Sequence, residues 1–361
     1  MIEVIAEAGS NHNGDPNVAK KLVMLAKKAG ASSVKFQFIF PDGLYIPKFY
    51  EEGVYQDNQA YTRRISEQLS ENEWRDVWDY AKKINMPISA SVFCKDGIQL
   101  LKKLGAPYVK IASTDLTNHQ LIYDACLAFP EVIISTGMAT LAEIEGSMNA
   151  IRAKNLKTRV RLMHCVSAYP CPIEHANTQR IRLLADSFGL DIGYSDHTEG
   201  NEAAVMALVT GATFFEKHFT IDRTMAGFDH AHAMEEIDLT RYVTVLRAAS
   251  NSLKTPPNQL SDLELTTKTR ARRGVYAAKS LKAGHVLTSD DLLFVRPSTT
   301  SSVNSVEMLI GETLASDCEQ YEPLGQNSSV VPVTSNWQAA MGYWLKEMRD
   351  KKMLKNDEAC N

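Results

Sequence analysis

Two histidines stand at equivalent places in two short strings, Gly193-Tyr194-Ser195-Asp196-His197-Thr198 and Glu216-Lys217-His218-Phe219-Thr220. Each string ends an apolar run that reads as a strand, and a helix-like stretch separates them. Both imidazoles therefore fall at strand C-termini in consecutive β/α units. Adjacent parallel strands lie roughly 5 Å apart, so His197 and His218 are placed to share one metal ion, with Asp196 and Glu216 as nearby carboxylates. Imidazole with carboxylate or water ligands suits Mn²⁺, Zn²⁺ or Fe²⁺ and leaves positions open for a substrate oxygen. A solitary histidine is more often structural; the paired placement favours the metal.

Two lysines sit in runs that otherwise read apolar, Val34-Lys35-Phe36 and Val109-Lys110-Ile111. A lysine is seldom buried without an anionic partner. With Ser113, Ser135 and Ser195 as hydroxyl donors, the pair makes a phosphate site. Pairing with core carboxylates such as Glu7 or Asp115 would explain the same lysines without a ligand. A Schiff-base lysine is a third reading, because a desolvated amine can attack a carbonyl, and the histidine pair argues against it. Cys165, beside His164, reads as a buried strand residue rather than a catalytic thiol.

The elements that must position these groups alternate along the chain. Strands are expected near 2–8, 33–39, 87–93, 107–112, 131–136, 159–165, 190–194 and 213–218. Amphipathic helices are expected near 16–29, 72–84, 97–104 and 141–153, from apolar residues at helical spacing. Eight β/α units in about 250 residues imply a closed (β/α)8 TIM barrel of the α/β class; an open doubly wound sheet is the alternative. In a barrel the active face is the C-terminal rim of the strands. That rim would carry Glu7, Lys35 and Gln37, Ser89 and Ser91, Lys110 and Ser113, Ser135 and Thr136, Ser167 and Tyr169, Ser195 and His197, then Glu216 and His218. Residues two apart share one face of a strand, so nearly every strand delivers a polar group to one place.

The barrel should occupy 1–255, followed by a polar, Pro-rich linker over 256–271 that opens with Pro256-Pro257. From 272 to 333, short apolar pieces punctuated by Gly284, Pro297, Gly311 and Gly325 read as a small β-rich domain. At roughly 60 residues it would be marginal alone. The tail, 334–361, carries Trp337, Met341, Trp344 and Leu345 at helical spacing. Composition narrows the partners: a net charge of −4 without a long basic run points away from nucleic acid and anionic membranes. No apolar run approaches the roughly 18 residues of a membrane span, and the first residues read as a strand with no leader ahead of them. Six cysteines without a C-x-x-C pair suit reduced thiols in a cytoplasm. The expected partner is a small molecule.

Several strings, in order, resemble the sialic acid synthase family: Ala6-Glu7-Ala8-Gly9-Ser10-Asn11-His12-Asn13-Gly14-Asp15, Val34-Lys35-Phe36-Gln37, Lys110-Ile111-Ala112-Ser113, Ser135-Thr136-Gly137-Met138, His164-Cys165-Val166-Ser167-Ala168-Tyr169-Pro170, and the two histidine strings. The likeness continues through Asp222-Arg223, Asp229-His230 and Arg296-Pro297, and covers about residues 1–333. The C-terminal part resembles that family's antifreeze-like, or SAF, domain (a β-clip). The resemblance implies condensation of phosphoenolpyruvate with an N-acylated amino sugar to give a nine-carbon 2-keto acid and phosphate. Carried over by position, Lys35, Gln37, Ser91, Lys110, Ser113, Ser135, Ser167 and Ser195 would hold phosphoenolpyruvate. Glu7, Lys35, Lys110 and Asp115 would be catalytic, with Glu7 positioning or deprotonating the water that attacks C2. Tyr169, Asp229 and Arg296 would contact the sugar, and His197 and His218 would bind Mn²⁺ or Mg²⁺. The family also implies a homodimer in which the small domain covers the other subunit's barrel.

The chain departs from the family pattern at Ser91-Val92-Phe93, where many members have Thr-Pro-Phe or Ser-Pro-Phe, at Asp115, where some have Glu, and at Ala271-Arg272-Arg273-Gly274. The segment 40–69, rich in Tyr and charge, does not match the usual sugar-binding loop. N-acetylmannosamine and the legionaminic and pseudaminic acid precursors all stand as acceptors.

Overall fold

All eight expected strands form and close on one another. The structure is a computed structural model and describes residues 2–154, 157–298 and 305–325. In chain order the strands are β1 (Glu3–Gly9), β2 (Ser33–Phe38), β3 (Lys48–Glu51), β4 (Val54–Asp57), β5 (Ile88–Val92), β6 (Val109–Ile111), β7 (Glu131–Ser135), β8 (Arg159–Cys165), β9 (Ile192–Asp196), β10 (Phe214–His218), β11 (Gly274–Ala277) and β12 (Leu292–Val295). The barrel runs β1-β10-β9-β8-β7-β6-β5-β2, each strand parallel to its neighbours. Strands such as Val109–Ile111 and Ile192–Asp196 are buried on both faces, as a sheet wrapped by helices requires.

The helices between strands are α1 (Pro16–Lys28), α2 (Gln59–Ser66), α3 (Glu71–Lys83), α4 (Lys95–Lys103), α5 (His119–Ala128), α6 (Leu141–Arg152), α7 (Gln179–Phe188), α8 (Glu202–Val209) and α9 (Glu236–Ser252). Their starts are written locally. Asp15 caps α1 and Pro16 opens it, while Ser70 with Glu73 and Thr140 with Glu143 form reciprocal capping boxes on α3 and α6. Their apolar faces, including Leu22, Val77, Ile144, Ile181 and Leu246, pack on the outer faces of the strands in one continuous core. Inside the barrel a separate plug of Ile5, Tyr108, Ile133, Met163 and Phe214 gives the polar residues nearer the C-terminal rim a dry floor. Among the described residues no helix is long and apolar enough to cross a membrane.

The chain divides into two compact units at Lys254 and Thr255. The segment 256–271, expected as a linker, contains the ten-residue helix α10 (Asp262–Ala271). Ser261 and Glu264 form its capping box, a start signal that the Pro256-Pro257 reading overlooked. In the second unit β11 and β12 pair antiparallel, and isolated bridges join Tyr276 to Pro323, Leu281 to Cys318 and Val286 to Thr313. Its small core holds Val275, Leu281, Leu287, Leu314 and Leu324. The tail 334–361 and the last residues of the expected 272–333 domain lie outside the described residues. So does Cys360; the other five cysteines are free thiols.

Candidate active site

Inward-facing positions of the barrel strands, with the loops that follow them, line a cavity of about 300 Å³. Its walls carry Glu7, Lys35, Gln37, Ser91, Lys110, Ser113, Ser135, Ser167, Tyr169, Ser195, His197, Glu216 and His218. Strand alternation puts these groups on the inner face and turns their neighbours outward. Asp196 is one such neighbour: it stands 3.1 Å from Lys217, whose ammonium lies over the ring of Tyr242 on α9. The expectation that Asp196 sits beside the imidazoles is therefore corrected by the pleat itself.

The floor is a buried network of two ammonium and two carboxylate groups. Lys35 Nζ stands 2.5 Å from Glu7 Oε2 and 3.6 Å from Glu216 Oε2, and donates to Ser91 Oγ at 2.8 Å. Lys110 Nζ reaches both oxygens of Glu216, at 3.0 and 2.9 Å. Ser195 Oγ donates to Glu216 Oε1 at 3.0 Å, and Gln37 Nε2 donates to Glu7 Oε1 at 3.0 Å. Each lysine thus has the carboxylate that its burial demands, but the partner of Lys110 is Glu216, which the sequence placed as a carboxylate near the histidine pair.

The two carboxylates respond oppositely to the same surroundings. Burial pushes the Glu7 carboxyl up to about 7, although Lys35 opposes the shift. Burial also works against charge on Glu216, yet Lys110 and Lys35 together overcome it and hold that carboxyl well below the usual range. Lys35 loses by burial but gains more from Glu216 and Glu7, and stays protonated above its ordinary range. Below neutral pH the floor therefore carries a net positive charge, suited to an anion.

Beside the lysines, hydroxyls gather round Gly137. Its backbone N–H donates to Ser113 Oγ at 3.1 Å, and Ser113 Oγ lies 3.1 Å from Cys165 Sγ. A Cβ on residue 137 would stand 2.5 Å from Ser167 Oγ and 2.8 Å from Ser113 Oγ and Cys165 Sγ. Only glycine leaves this cradle open.

At the outer end, the His197 and His218 ring centres are 5.5 Å apart, and the Tyr169 ring packs on His197 at 4.2 Å. His197 Nδ1 lies 2.6 Å from the Val166 carbonyl. A carbonyl only accepts, so the proton is fixed on Nδ1 and Nε2, 3.2 Å from Ser195 Oγ, carries the lone pair. Burial, with the neighbouring imidazoles His218 and His232 respectively, pushes His197 and His218 down to about 3. His218 Nδ1 is buried with no partner. Two neutral imidazoles with available lone pairs fit a divalent cation.

A third histidine, which the sequence reading missed, stands nearby. The loop after β10 returns alongside the strand end, with Met234 N donating to the His218 carbonyl at 2.9 Å. Potential ligand atoms of His218, Asp229 and His232 lie within 4.8 Å of one another. Asp229 sits against the end of β1, where a Cβ on Gly9 would stand 2.3 Å from Asp229 Oδ2. The signal available in the sequence was a second histidine two residues after Asp229-His230.

Two expected residues lie elsewhere. Asp115, in the turn Ser113–Asp115, accepts from Thr114 Oγ1 at 2.9 Å and Asn118 Nδ2 at 3.3 Å, and is not among the residues lining the cavity. Arg296 belongs to the second unit, directly after β12.

A closed (β/α)8 barrel with its charged groups, hydroxyls and imidazoles gathered at the C-terminal rim of its strands defines a TIM-barrel enzyme. Comparison with known proteins names the family. Residues 22–257 match the NeuB family and residues 272–326 match the SAF domain, so the chain belongs to the NeuB family of sialic acid synthases and carries a SAF domain. It is 33% identical over 321 residues to the N,N'-diacetyllegionaminic acid synthase of Legionella pneumophila, covering 86% of this chain and 90% of that one. It is 27% identical to the pseudaminic acid synthase of Helicobacter pylori, over 89% of this chain and 96% of that one. Among solved structures, the N-acetylneuraminic acid synthetase of Leptospira borgpetersenii, crystallised with citrate, superposes with a TM-score of 0.66 at 30% identity, covering 74% of this chain and 90% of that one.

Proposed function

We propose that the chain condenses phosphoenolpyruvate with the open-chain form of an N-acylated amino sugar to give a nonulosonic acid and phosphate. The observation that carries this reading is the convergence of Lys35, Lys110 and the hydroxyls of Ser91, Ser113, Ser135, Ser167 and Ser195 on one cavity with two neutral imidazoles at its edge. Phosphoenolpyruvate brings a phosphate and a carboxylate. Lys35 and Lys110 offset these charges, and the Ser113, Gly137 and Ser167 cradle orients the phosphate oxygens. In the reaction C3 of phosphoenolpyruvate bonds to the sugar aldehyde carbon as the carbonyl π bond opens and its oxygen takes up a proton, water adds at C2 with loss of one proton, and the C2–O bond to phosphate breaks as the new C2 hydroxyl loses the other and becomes the keto group. Glu7, held by Gln37 and Lys35, stabilises positive charge developing at C2 and takes a proton from the incoming water at its carboxylate. The plug beneath keeps bulk water from the floor.

His197 and His218 would hold Mn²⁺ or Mg²⁺. When bound, such an ion supplies a Lewis acid for a carbonyl oxygen. Tyr169 and Asp229 would contact the sugar. The reading extends to a cytoplasmic homodimer that exchanges SAF domains, so that Arg296 of one chain serves the barrel of the other.

The test is phosphate release from phosphoenolpyruvate with Mn²⁺, comparing N-acetylmannosamine, 2,4-diacetamido-2,4,6-trideoxymannose, 2,4-diacetamido-2,4,6-trideoxyaltrose and no sugar. Release that depends on one sugar and disappears with EDTA is the expected result, and it names the acceptor. No release with any sugar, together with a borohydride-trapped adduct at Lys35 or Lys110, would replace this reading with a Schiff-base aldolase.

A further inference from the structure

We propose that His232 and one carboxylate oxygen of Asp229 join His197 and His218 as ligands of the divalent cation, so that the loop after β10 adds an imidazole and a carboxylate to the histidine pair while the other Asp229 oxygen is left for the sugar. The inference rests on the reading above that a divalent cation sits at these strand ends, and deepens it by naming protein ligands beyond the histidine pair.

Three observations meet at this cluster. Ligand atoms of His218, Asp229 and His232 come within 4.8 Å of one another. Ligands at about 2.0–2.2 Å from one ion stand about 3–4 Å apart, so a small side-chain rotation closes the gap. Each of the three residues also carries a buried polar atom with no partner: His218 Nδ1, Asp229 Oδ2 and His232 Nε2. Buried polar atoms are nearly always satisfied, and His218 is only 7% exposed; three orphans in one cluster mark a missing common partner. The ring spacing agrees as well. Bonds of about 2.1 Å put each ring centre about 3.2 Å from the ion, so two rings on one ion stand about 4.5–5.5 Å apart. His218 and His232 are 5.1 Å apart, and His197 and His218 are 5.5 Å apart.

The neighbouring histidine shows what a structural role looks like in the same loop. His230 Nδ1 lies 2.6 Å from Thr220 Oγ1 and its Nε2 lies 3.4 Å from Asn13 Oδ1, so both nitrogens are engaged. His232 instead packs against Tyr169 with the rings tilted and their centres 5.0 Å apart, and its Nε2 is unengaged. Three imidazole nitrogens and a carboxylate oxygen favour Mn²⁺, Fe²⁺ or Zn²⁺ over Mg²⁺, which prefers oxygen ligands.

The experiment is metal binding by the full-length chain stripped of metal, with no substrate present. Mn²⁺ uptake is followed by the electron paramagnetic resonance signal of the free ion, and Co²⁺ uptake by visible absorption. The wild type should take up one ion per chain. His232→Ala should raise the Mn²⁺ Kd at least about tenfold and alter the Co²⁺ spectrum. His232→Asp, which restores a ligand of another type, should recover much of the affinity. His175→Ala, on an exposed turn, should change neither. Circular dichroism melts establish folding, and His232→Asn repeats the test if the alanine variant melts early. If folded His232→Ala binds like wild type while His197→Ala and His218→Ala lose the ion, His232 is no ligand and the histidine pair stands alone. If the wild type takes up neither ion, the metal-dependent reading falls with this one.

Discussion

Glu7 and Glu216 are both buried against lysine, yet only Glu7 keeps its proton to near neutrality, since burial, aided by the charge on Glu216, outweighs the pull of Lys35 and Lys110. A carboxylate base whose pKa is raised gains its active form only as the pH rises through that value. Under the proposed reaction, kcat/KM should therefore climb through a limb centred near pH 7, the value to which Glu7 is raised. Glu7→Gln should remove that limb and slow turnover by about 10²–10⁴, measured as phosphate release across pH. Lys110→Met tests the floor from the other side. It leaves Glu216 with Lys35 at 3.6 Å as its remaining ammonium, and breaking a buried pair costs about 3–5 kcal/mol. A lowered melting temperature and a raised KM for phosphoenolpyruvate should appear together. Which carboxylate pairs with Lys110 was not legible in the sequence, because strand alternation fixes the side a residue faces but not its neighbour across the barrel. Asp115 was the nearer carboxylate along the chain and the wrong one; Glu216, four barrel strands away, reaches across the closed interior.

Most elements were legible because their signals are local. Apolar runs such as Glu131–Ser135, and the boundaries of α3 and α6, follow from strand propensity and capping residues within a few positions. Ser70→Ala should cost about 1 kcal/mol through loss of the α3 cap, read in a urea titration, without changing KM. The α10 helix went unread because two prolines ahead of it outweighed a cap further on. The turn after β7 makes a sharper prediction. A methyl group at residue 137 would meet Ser167 Oγ, Ser113 Oγ and Cys165 Sγ at under 3 Å, so Gly137→Ala should raise the KM for phosphoenolpyruvate at least about tenfold by displacing groups set for its phosphate. Its circular dichroism spectrum should stay that of the wild type. A KM within twofold of wild type would remove this turn from the phosphate site.

For the whole molecule, the proposed exchange of SAF domains can be tested by complementation. Glu7→Gln disables a barrel and Arg296→Ala disables a small domain. Mixing the two variants under conditions that exchange subunits should restore activity, because one barrel of each mixed dimer is then served by an intact small domain from the other chain. If each chain serves its own barrel, every site keeps one lesion and no activity returns. Within the second unit, the core around Leu281 and Leu314 is small, and Leu314→Ala should cost about 2–5 kcal/mol. That loss should appear as an early transition in thermal unfolding while the barrel's own transition stays in place.

By itself the sequence determined the β/α alternation, the barrel, the second unit, and most of the polar residues at the rim, since each depends on periodicity, caps and turn residues within short windows; Ser89 and Thr136, named with them, instead donate to the Tyr108 and Met163 carbonyls. It also placed His197 and His218 in register, because consecutive parallel strands bring equivalent ends together. Tertiary structure decided the pairing of Lys110 with Glu216, the outward turn of Asp196 to Lys217, and the gathering of His232 and Asp229 around His218. The physical reason is common to all three. Closing the barrel and folding the loop back over β10 create contacts between residues whose separation along the chain carries no periodic signal, and the burial of charge then selects which of those contacts survive.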